Sequence, residues 1–277
     1  MHIGILTVPL SNKPIEEVIP WAAANGITAL EINVNGGAHG DLLHADDARL
    51  ERVRGLLTQH GLHVSSLVCY ANIVGVAKEE ADRNARNLLD TVRLAARMGV
   101  GTVCTLAGFP AQGKSKARTI AEDMPAAFRP VLDLAGEHGI RVALENWFAT
   151  NIQHLDHFRA VFESLPDAHF GLNFDPSHLD WQGIDTVAAV REFKDRIFHV
   201  HAKDVVVDEA QRLRVGYNGD GWWRYTLPGY GRIRWGEFIT TLRLNGYNGV
   251  LSIEHEDSAF EAEEGFVLAA RYLGALV

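Results

Sequence analysis

The sequence predicts an α/β protein that folds as a single (β/α)8 TIM barrel over residues 1–277. One unit recurs along the chain, in which a helix-like segment ends at a glycine that leads directly into a short apolar run. Uninterrupted apolar runs are typical of strands whose two faces are both covered, as in parallel sheets. With three further apolar runs, the chain contains eight strand–helix units in ~250 residues, which match the size of this barrel. An open doubly wound sheet usually carries a Gly-rich phosphate turn after its first strand, and here "LTVPLSNKP" follows instead.

Five of the eight predicted strands begin just after a helix-ending glycine, at Gly26, Gly61, Gly99, Gly139 and Gly246. Glycine suits this position because it readily adopts the left-handed conformation that ends a helix. The other three strands are the opening "HIGILTV" and the segments "HFGLNFD" and "RIFHVH". Helices are predicted over residues 14–25, 46–60, 79–98, 118–138, 153–164, 184–192, 235–244 and 258–273.

One long insertion, at about residues 204–234, separates the seventh strand from its helix. It is rich in Gly, Trp and Tyr, which is more typical of an active-site loop than of a disordered segment. The last helix is predicted to begin at Ser258, because Glu261 follows three residues later, the spacing of a capping box.

Composition narrows the class of protein. The net charge of −9 argues against a surface that binds duplex nucleic acid, since such binding relies on Lys and Arg. Cys69 and Cys104 are the only cysteines, so no disulfide framework is expected and a reducing, cytoplasmic location is favoured. The opening residues lack a basic region and a cleavage site, and no run approaches the ~18 apolar residues of a membrane span.

Four consecutive predicted strands end in potential metal ligands, namely Glu145, Asp175, His201 and Glu254. Any one of these acids alone would more often cap the following helix. Together they should meet at the carboxyl ends of the strands, where the chemistry of such barrels is located. Three carboxylates and one imidazole suit an octahedral Mn²⁺, Mg²⁺ or Co²⁺, and without a cation the carboxylates would repel one another. The prediction is one divalent ion, with manganese favoured.

The seventh strand, "RIFHVHAKD", places His199, His201 and Lys203 on one face, because side chains alternate along a strand. His201 is interpreted as the ligand, His199 as a core histidine one layer below, and Lys203 as a contact for a substrate oxygen. Glu31 and Asn33 share the end of the second strand. Glu31 is expected either to contact substrate or to pair with a core Lys or Arg.

At these residues the chain resembles the xylose isomerase-like TIM barrels, a superfamily of sugar isomerases and epimerases that also contains endonuclease IV. The motifs that carry the resemblance are "LENW", "DPSH", "HVHAKD", "LPGYGRIRW" and "IEHED". It implies that Glu145, Asp175, His201 and Glu254 bind one divalent metal and that the two glutamates move protons. It also implies that His178, in "DPSH", holds a substrate oxygen.

The leading hypothesis is a metal-dependent isomerase or epimerase of a keto-sugar or keto-glycoside, without a phosphate because no basic cluster is present. The metal would stabilise an enediolate, while Glu145 or Glu254 removes a proton and the other returns it. Trp223, with Trp222 and Tyr225, is expected to cover a sugar or aglycone face. Many ketose 3-epimerases carry an Arg a few residues after the metal histidine, and "HAKDVVVDE" has none.

Three alternatives stay open. A lyase subunit that cleaves a C-glycosidic bond of a 3-keto glycoside would use the same site and a second subunit. An endonuclease IV-type nuclease is disfavoured, because its additional histidines are missing from the second and third strand ends and from residues 205–234. A non-catalytic sugar-binding barrel would need no proton carriers. The expected partners are a small sugar, and either further copies of the chain or a second subunit, with no nucleic acid and no membrane.

Overall fold

Eight parallel strands form a closed barrel in the computed structural model, which describes residues 1–277. The barrel strands are β1 (His2–Leu6), β2 (Ala29–Asn33), β3 (His63–Cys69), β4 (Thr102–Leu106), β5 (Arg141–Glu145), β6 (Phe170–Phe174), β7 (Ile197–Ala202) and β10 (Val250–Ile253). They neighbour one another in chain order, and β1 pairs with both β2 and β10 to close the ring. The predicted TIM barrel is therefore confirmed.

Helices surround the barrel between successive strands. They are α1 (Ile15–Ala24), α2 (Asp47–His60), α3 (Lys78–Met98), α4 (Lys116–Glu122), α5 (Met124–Glu137), α6 (Leu155–Ser164), α7 (Ser177–Asp180), α8 (Thr186–Phe193), α9 (Glu209–Val215), α10 (Trp235–Leu244) and α11 (Ala262–Gly274). Short 3-10 helices span Val8–Leu10, Gly37–His44 and Lys194–Arg196. Gly61 and Gly99 end α2 and α3 in the left-handed conformation, with φ of 68° and 72°. No helix combines the length and apolar sequence needed to cross a membrane.

Two predicted helix boundaries were wrong. The segment 118–138 is two helices separated at Asp123, because Pro125 stands in the first turn of α5 and lacks the N–H that would continue the preceding helix. The last helix begins at Ala262 rather than Ser258. There the Asp257 carboxylate accepts the N–H of Ala259 at 3.0 Å, which holds residues 257–260 in a turn.

Most buried apolar side chains belong to one cluster formed by the barrel strands and the helices around them. The interior of the barrel also contains polar side chains, which form hydrogen bonds from one strand to another. Glu31, Asn173, His199, His201 and Ser252 come from β2, β6, β7 and β10, and all five are buried. Buried polar groups are costly unless they bond to one another. These polar side chains therefore form a hydrogen-bonded group inside the barrel that its apolar packing does not require.

The insertion at 204–234 is an ordered antiparallel hairpin. Its strands are β8 (Asp204–Val207) and β9 (Trp223–Thr226), and α9 lies between them. The buried carboxylate of Asp204 fastens both ends of the insertion to the barrel. It accepts backbone N–H groups of Val205, Gly229 and Ile233 and the indole N–H of Trp235, at 2.8–3.0 Å. The predicted loop is thus a fixed structural element over the barrel end.

We predict that Asp204→Asn lowers the free energy of unfolding by about 3 kcal/mol, because its amide NH2 would face buried donors that the carboxylate now satisfies. Urea denaturation followed by tryptophan fluorescence measures this loss. The control is Asp208→Ala, which removes the exposed N-terminal cap of α9 and should cost only about 1 kcal/mol. Equal losses in the two variants would contradict the anchoring role of Asp204.

Candidate metal centre

The structure brings the four predicted ligands together. Glu145 ends β5, Asp175 follows β6, His201 lies in β7 and Glu254 follows β10. One ligand atom from each lies within 4.8 Å of the others, and all four side chains are buried. Nδ1 of His201 is 2.9 Å from Glu254 Oε2, 3.9 Å from Glu145 Oε1 and 4.0 Å from Asp175 Oδ2. The four donors therefore converge on one point at the end of the barrel.

Two buried atoms in this cluster, Nδ1 of His201 and Oδ2 of Asp175, form no regular hydrogen bond, although Glu254 Oε2 lies 2.9 Å from the first and Lys203 Nζ 3.2 Å from the second. The carboxylate beside Nδ1 can only accept, so this contact requires a proton or a cation between the two atoms. A divalent cation bonded to Nδ1 and to Asp175 Oδ2 would meet that requirement. Three carboxylates and one imidazole are also a ligand set that divalent first-row metals and Mg²⁺ accept. The residues present therefore fit a divalent metal ion.

Lys203 is buried beside this cluster. Its Nζ lies 2.7 Å from Glu254 Oε2, 3.0 Å from Glu256 Oε2 and 3.2 Å from Asp175 Oδ2. Burial would lower the pKa of Lys203, but the neighbouring carboxylates of Glu254 and Asp175 outweigh it and hold the pKa well above its usual value. The ammonium is consequently charged and balances part of the negative charge. Its predicted contact with substrate stays a prediction.

The two acids that contact Lys203 differ in their environment. Burial favours the neutral form of Glu254, yet Lys203 and His201 together hold its pKa well below the ordinary range. Burial also raises the pKa of Glu256, and there the opposing effect of Lys203 does not overcome it. Glu256 reaches the solvent side of the site, with 47% of its side chain exposed. Glu254 is therefore more firmly ionised than Glu256.

The "DPSH" segment positions Asp175 and His178. The N–H of Ser177 donates to Asp175 Oδ1 at 2.7 Å, while Asn146 bonds to both the backbone N–H and the carbonyl of Asp175. His178 follows in α7 and is held at both ring nitrogens. Its Nε2 is 3.2 Å from Glu145 Oε1, and its Nδ1 is 2.6 Å from the hydroxyl of Tyr225. His178 therefore links a candidate ligand to the insertion hairpin.

A second polar layer lies beneath the four ligands. Oε2 of Glu31 is 3.1 Å from Nε2 of His201 and accepts a bond from the Ser252 hydroxyl at 2.6 Å. Burial alone would raise the pKa of Glu31, but the imidazoles of His199 and His201 and the two hydrogen bonds lower it to about 2. Glu31 thus pairs with imidazole, so the predicted pairing with a core Lys or Arg is wrong. Glu31 is buried and does not line the cavity described below, and its predicted substrate contact stays a prediction.

His199 belongs to the same lower layer, as predicted. Its ring contacts Asn173 at 2.9 Å and Ser65 at 3.1 Å, and burial lowers its pKa to about 4. Asn173 and Ser252 were not singled out from the sequence. Both stand two residues before a candidate ligand, Asp175 and Glu254, and a two-residue step keeps a side chain on the same face of a strand. This two-residue spacing is the sequence signal by which Asn173 and Ser252 could have been predicted.

A cavity of about 570 Å³ opens above the candidate metal centre. Glu145, His178, Lys203 and Glu254 form its polar side. Its other side is mainly aromatic, with contributions from Tyr70, Trp147, Phe148, Trp223 and Tyr225. A cavity of this size, with few polar groups gathered at one side, is typical of small-molecule sites.

The aromatic side of the cavity is held rigidly. Trp223 stacks on Trp181 with ring centres 4.5 Å apart and an angle of 8°, and it meets Phe148 edge-on at 5.6 Å. Trp222 does not line the cavity. It is 1% exposed and packs against the edge of Trp181 instead. Of the predicted aromatic contacts, Trp223 and Tyr225 therefore face the cavity and Trp222 supports them.

The amino-acid sequence is similar to those of several known bacterial proteins. The Bacillus subtilis (strain 168) protein YfiH, described as uncharacterized, is 27% identical over 303 residues that cover 96% of both chains. Inosose dehydratase of Bacillus thuringiensis (strain Al Hakam) is 30% identical over 147 residues. That alignment covers 50% of this chain and 48% of the dehydratase, so only about half of each protein is compared.

Solved structures share the fold at low sequence identity. The probable 3-DHS dehydratase AsbF of Bacillus anthracis superposes with a TM-score of 0.79, at 18% identity, over 99% of both chains. The IolI protein with a bound zinc atom gives a TM-score of 0.78 at 16% identity, over 100% of this chain and 98% of that one. The 3-keto-D-glucoside 4-epimerase YcjR of E. coli gives 0.77 at 17% identity, over 99% of both chains.

A family model described as xylose isomerase-like TIM barrel matches residues 19–276, nearly the whole chain. The eight-stranded barrel, the ring of candidate ligands at its carboxyl end and this match agree with one another. The chain belongs to the xylose isomerase-like TIM barrel family.

Proposed function

We propose that the protein is a metal-dependent isomerase or epimerase that moves a proton on the carbon beside the carbonyl of a keto-sugar or keto-glycoside. The observation that carries this proposal is the double position of Glu145 and Glu254. Both belong to the cluster of candidate metal ligands, and both line the 570 Å³ cavity. An acid that is held beside the bound substrate can take or give a proton directly. The relatives named as a sugar epimerase and as dehydratases support this class of chemistry.

The proposed cofactor is one divalent ion held by Glu145, Asp175, His201 and Glu254. When bound, such an ion polarises a carbonyl and stabilises the negative charge that develops on its oxygen. The three oxygen donors favour Mn²⁺, with Mg²⁺ or Co²⁺ as alternatives. The zinc atom in the IolI structure makes zinc a further ion to include in the test.

We assign the two glutamates different parts in the proton transfer. Glu254 is paired with Lys203 at 2.7 Å, which makes its carboxylate a weak base and its protonated form a strong acid. Glu145 contacts the imidazole of His178 at 3.2 Å and is the proposed base. It removes the proton from carbon. Glu254, which is ionised at rest, takes a proton from the ammonium of Lys203 and delivers it to the opposite face or to the neighbouring carbon. These outcomes correspond to epimerisation and isomerisation. Solvent then returns a proton to Lys203, and Glu145 releases its own.

The other cavity residues would orient the sugar. We propose that His178, which Tyr225 and Glu145 hold from two sides, binds a substrate oxygen, and that Lys203 binds another. Trp223 would pack against the apolar face of the sugar ring or of an aglycone, since it is held flat against Trp181. Rigid placement of the reacting carbon beside Glu145 is itself a large part of catalysis.

Dehydration is a second candidate, because inosose dehydratase is the named relative with the highest identity among those reported above. The first step is the same removal of a proton beside the carbonyl. A hydroxyl group on the next carbon then leaves as water, with a proton supplied by the pair Lys203 and Glu256, whose side chains meet at 3.0 Å. A C-glycosidic lyase would expel an aglycone at the corresponding step. Product analysis separates these outcomes from isomerisation.

We predict that Mn²⁺ binds with one equivalent per chain and raises the melting temperature by about 5 °C or more at 100 times its Kd. His201→Ala and Asp175→Asn should abolish this rise, because each removes a donor from the cluster. Differential scanning calorimetry and elemental analysis measure both effects. His138→Ala is the control, because this exposed histidine lies between α5 and the start of β5, at the opposite end of the strands from the cluster. A wild-type protein that binds no Mn²⁺, Mg²⁺, Co²⁺ or Zn²⁺ would rule out the metal centre.

We predict that Glu145→Gln and Glu254→Gln each slow the exchange of solvent deuterium into a keto-sugar substrate by about 100-fold or more. NMR or mass spectrometry follows the exchange over a panel of keto-sugars and keto-glycosides, and metal content is measured for each variant. Glu137→Gln, on the exposed surface of α5, is the control and should exchange at the wild-type rate. Undiminished exchange in both active-site variants would refute the proton-transfer roles.

We predict that Trp223→Ala raises the KM for the accepted substrate about tenfold and changes kcat less, because an aromatic surface that contacts the substrate is lost far from the reacting carbon. Steady-state kinetics give both constants. Tyr217→Ala removes an exposed aromatic ring from the same insertion and should leave KM unchanged. An unchanged KM in Trp223→Ala would remove Trp223 from the substrate site.

A further inference from the structure

We propose that Glu31 is a positioning residue that keeps the imidazole proton of His201 on Nε2, so that Nδ1 stays free to bind the metal. This inference rests on the proposed metal centre. Glu31 is buried at 0% exposure in β2, on the far side of the His201 ring from the other three candidate ligands. Its contact with His201 spans 170 residues of sequence. In metal sites, a carboxylate behind a ligating histidine commonly orients the ring and increases its affinity for the metal.

The proton position follows from the chemistry of the Glu31 carboxylate. One of its oxygens, Oε2, accepts the hydroxyl of Ser252 at 2.6 Å and also lies 3.1 Å from Nε2 of His201. An ionised carboxylate can only accept hydrogen bonds. Nε2 must therefore carry a hydrogen and donate it to Glu31. The Tyr70 hydroxyl oxygen, 3.3 Å from the same nitrogen, is compatible because it can also accept.

The opposite nitrogen, Nδ1, points at the cluster. It lies 2.9–4.0 Å from three carboxylate oxygens. Because a carboxylate can only accept, Nδ1 must carry a positive partner there, which is either a proton shared with Glu254 or a metal ion. A neutral imidazole carries one N–H, and in metal-bound His201 that hydrogen would be on Nε2. The Glu31 contact thus leaves Nδ1 as the nitrogen that faces the proposed cation.

The rest of the lower layer agrees with this proton position after one change. The amide nitrogen of Asn173 is 2.9 Å from Nε2 of His201, and its oxygen is 2.9 Å from Nδ1 of His199. A half turn of this amide exchanges two atoms of nearly equal size. The oxygen then accepts from His201, and the nitrogen donates to His199. The His199 Nε2–H donates to Ser65 at 3.1 Å, and Ser65 donates to the carbonyl of Leu30 at 3.3 Å.

A second metal ion is the competing explanation, since Glu31, His199 and His201 also have donor atoms within 4.8 Å of one another. Such an ion would need lone pairs on both imidazoles directed at Glu31. In the structure, both ring nitrogens of His199 contact hydrogen-bonding groups, Asn173 and Ser65. Only one carboxylate is available there. The hydrogen-bonded arrangement therefore accounts for these contacts better than a second ion.

The first experiment measures zinc affinity by competition with a chromophoric chelator. Glu31→Gln keeps the shape of the side chain but replaces the charged acceptor, and it should bind Zn²⁺ about 10- to 100-fold more weakly. The matched control is Ser252→Ala, which removes the other partner of Glu31 but leaves the carboxylate, and its affinity should change less than about threefold. Circular dichroism checks that both variants are folded.

The second experiment uses the wild-type protein and so does not depend on the folding of a variant. With ¹⁵N-labelled histidine and one equivalent of Zn²⁺, NMR should show His201 protonated at Nε2 and bound to zinc through Nδ1. A ring bound through Nε2, two zinc ions per chain, or equal affinity in Glu31→Gln and wild type would each overturn the role of Glu31. Those results leave the metal centre itself intact. Absence of zinc binding by the wild type would instead remove the metal centre and this inference together.

Discussion

The structure depends on how buried negative charge is balanced at one end of the barrel. Three carboxylates, Glu145, Asp175 and Glu254, are gathered around His201 with almost no contact with water. Carboxylates at this separation in a buried site cannot all remain ionised without nearby positive charge. Lys203 supplies one such charge, through contacts with Asp175 and Glu254. A divalent cation would neutralise the negative charge that remains.

The barrel makes this concentration of charge compatible with a stable fold. Parallel strands all end at the same rim, so each can contribute one side chain without disturbing the apolar layer beneath the helices. A second layer of polar side chains lies below the rim. It contains Asn173, His199 and Ser252, each two residues before a candidate ligand, and their hydrogen bonds satisfy the buried polar groups. Packing outside and hydrogen bonding inside thus stabilise different parts of the same strands.

Much of the fold and the four candidate ligands could be predicted from the sequence, because both follow from local patterns. Apolar runs after glycines mark the strands, and strand ends in a closed barrel must meet. What depends on distant neighbours was missed. The partner of Glu31, for example, is 170 residues away. The helix break at Asp123 is a different case, because Pro125 is a local signal that the predicted helix 118–138 overlooked. The hairpin in the insertion was also missed, since its pairing is fixed by the contacts of Asp204 with residues 229–235.

The attachment of the hairpin has a consequence for how this protein could diversify. The tip of the insertion, residues 208–221, lies beyond the paired strands, and none of these residues is buried. Its length and composition can therefore vary while Asp204 keeps the base in place and Trp223 keeps facing the cavity. This part of the surface could therefore change without altering the residues that line the cavity.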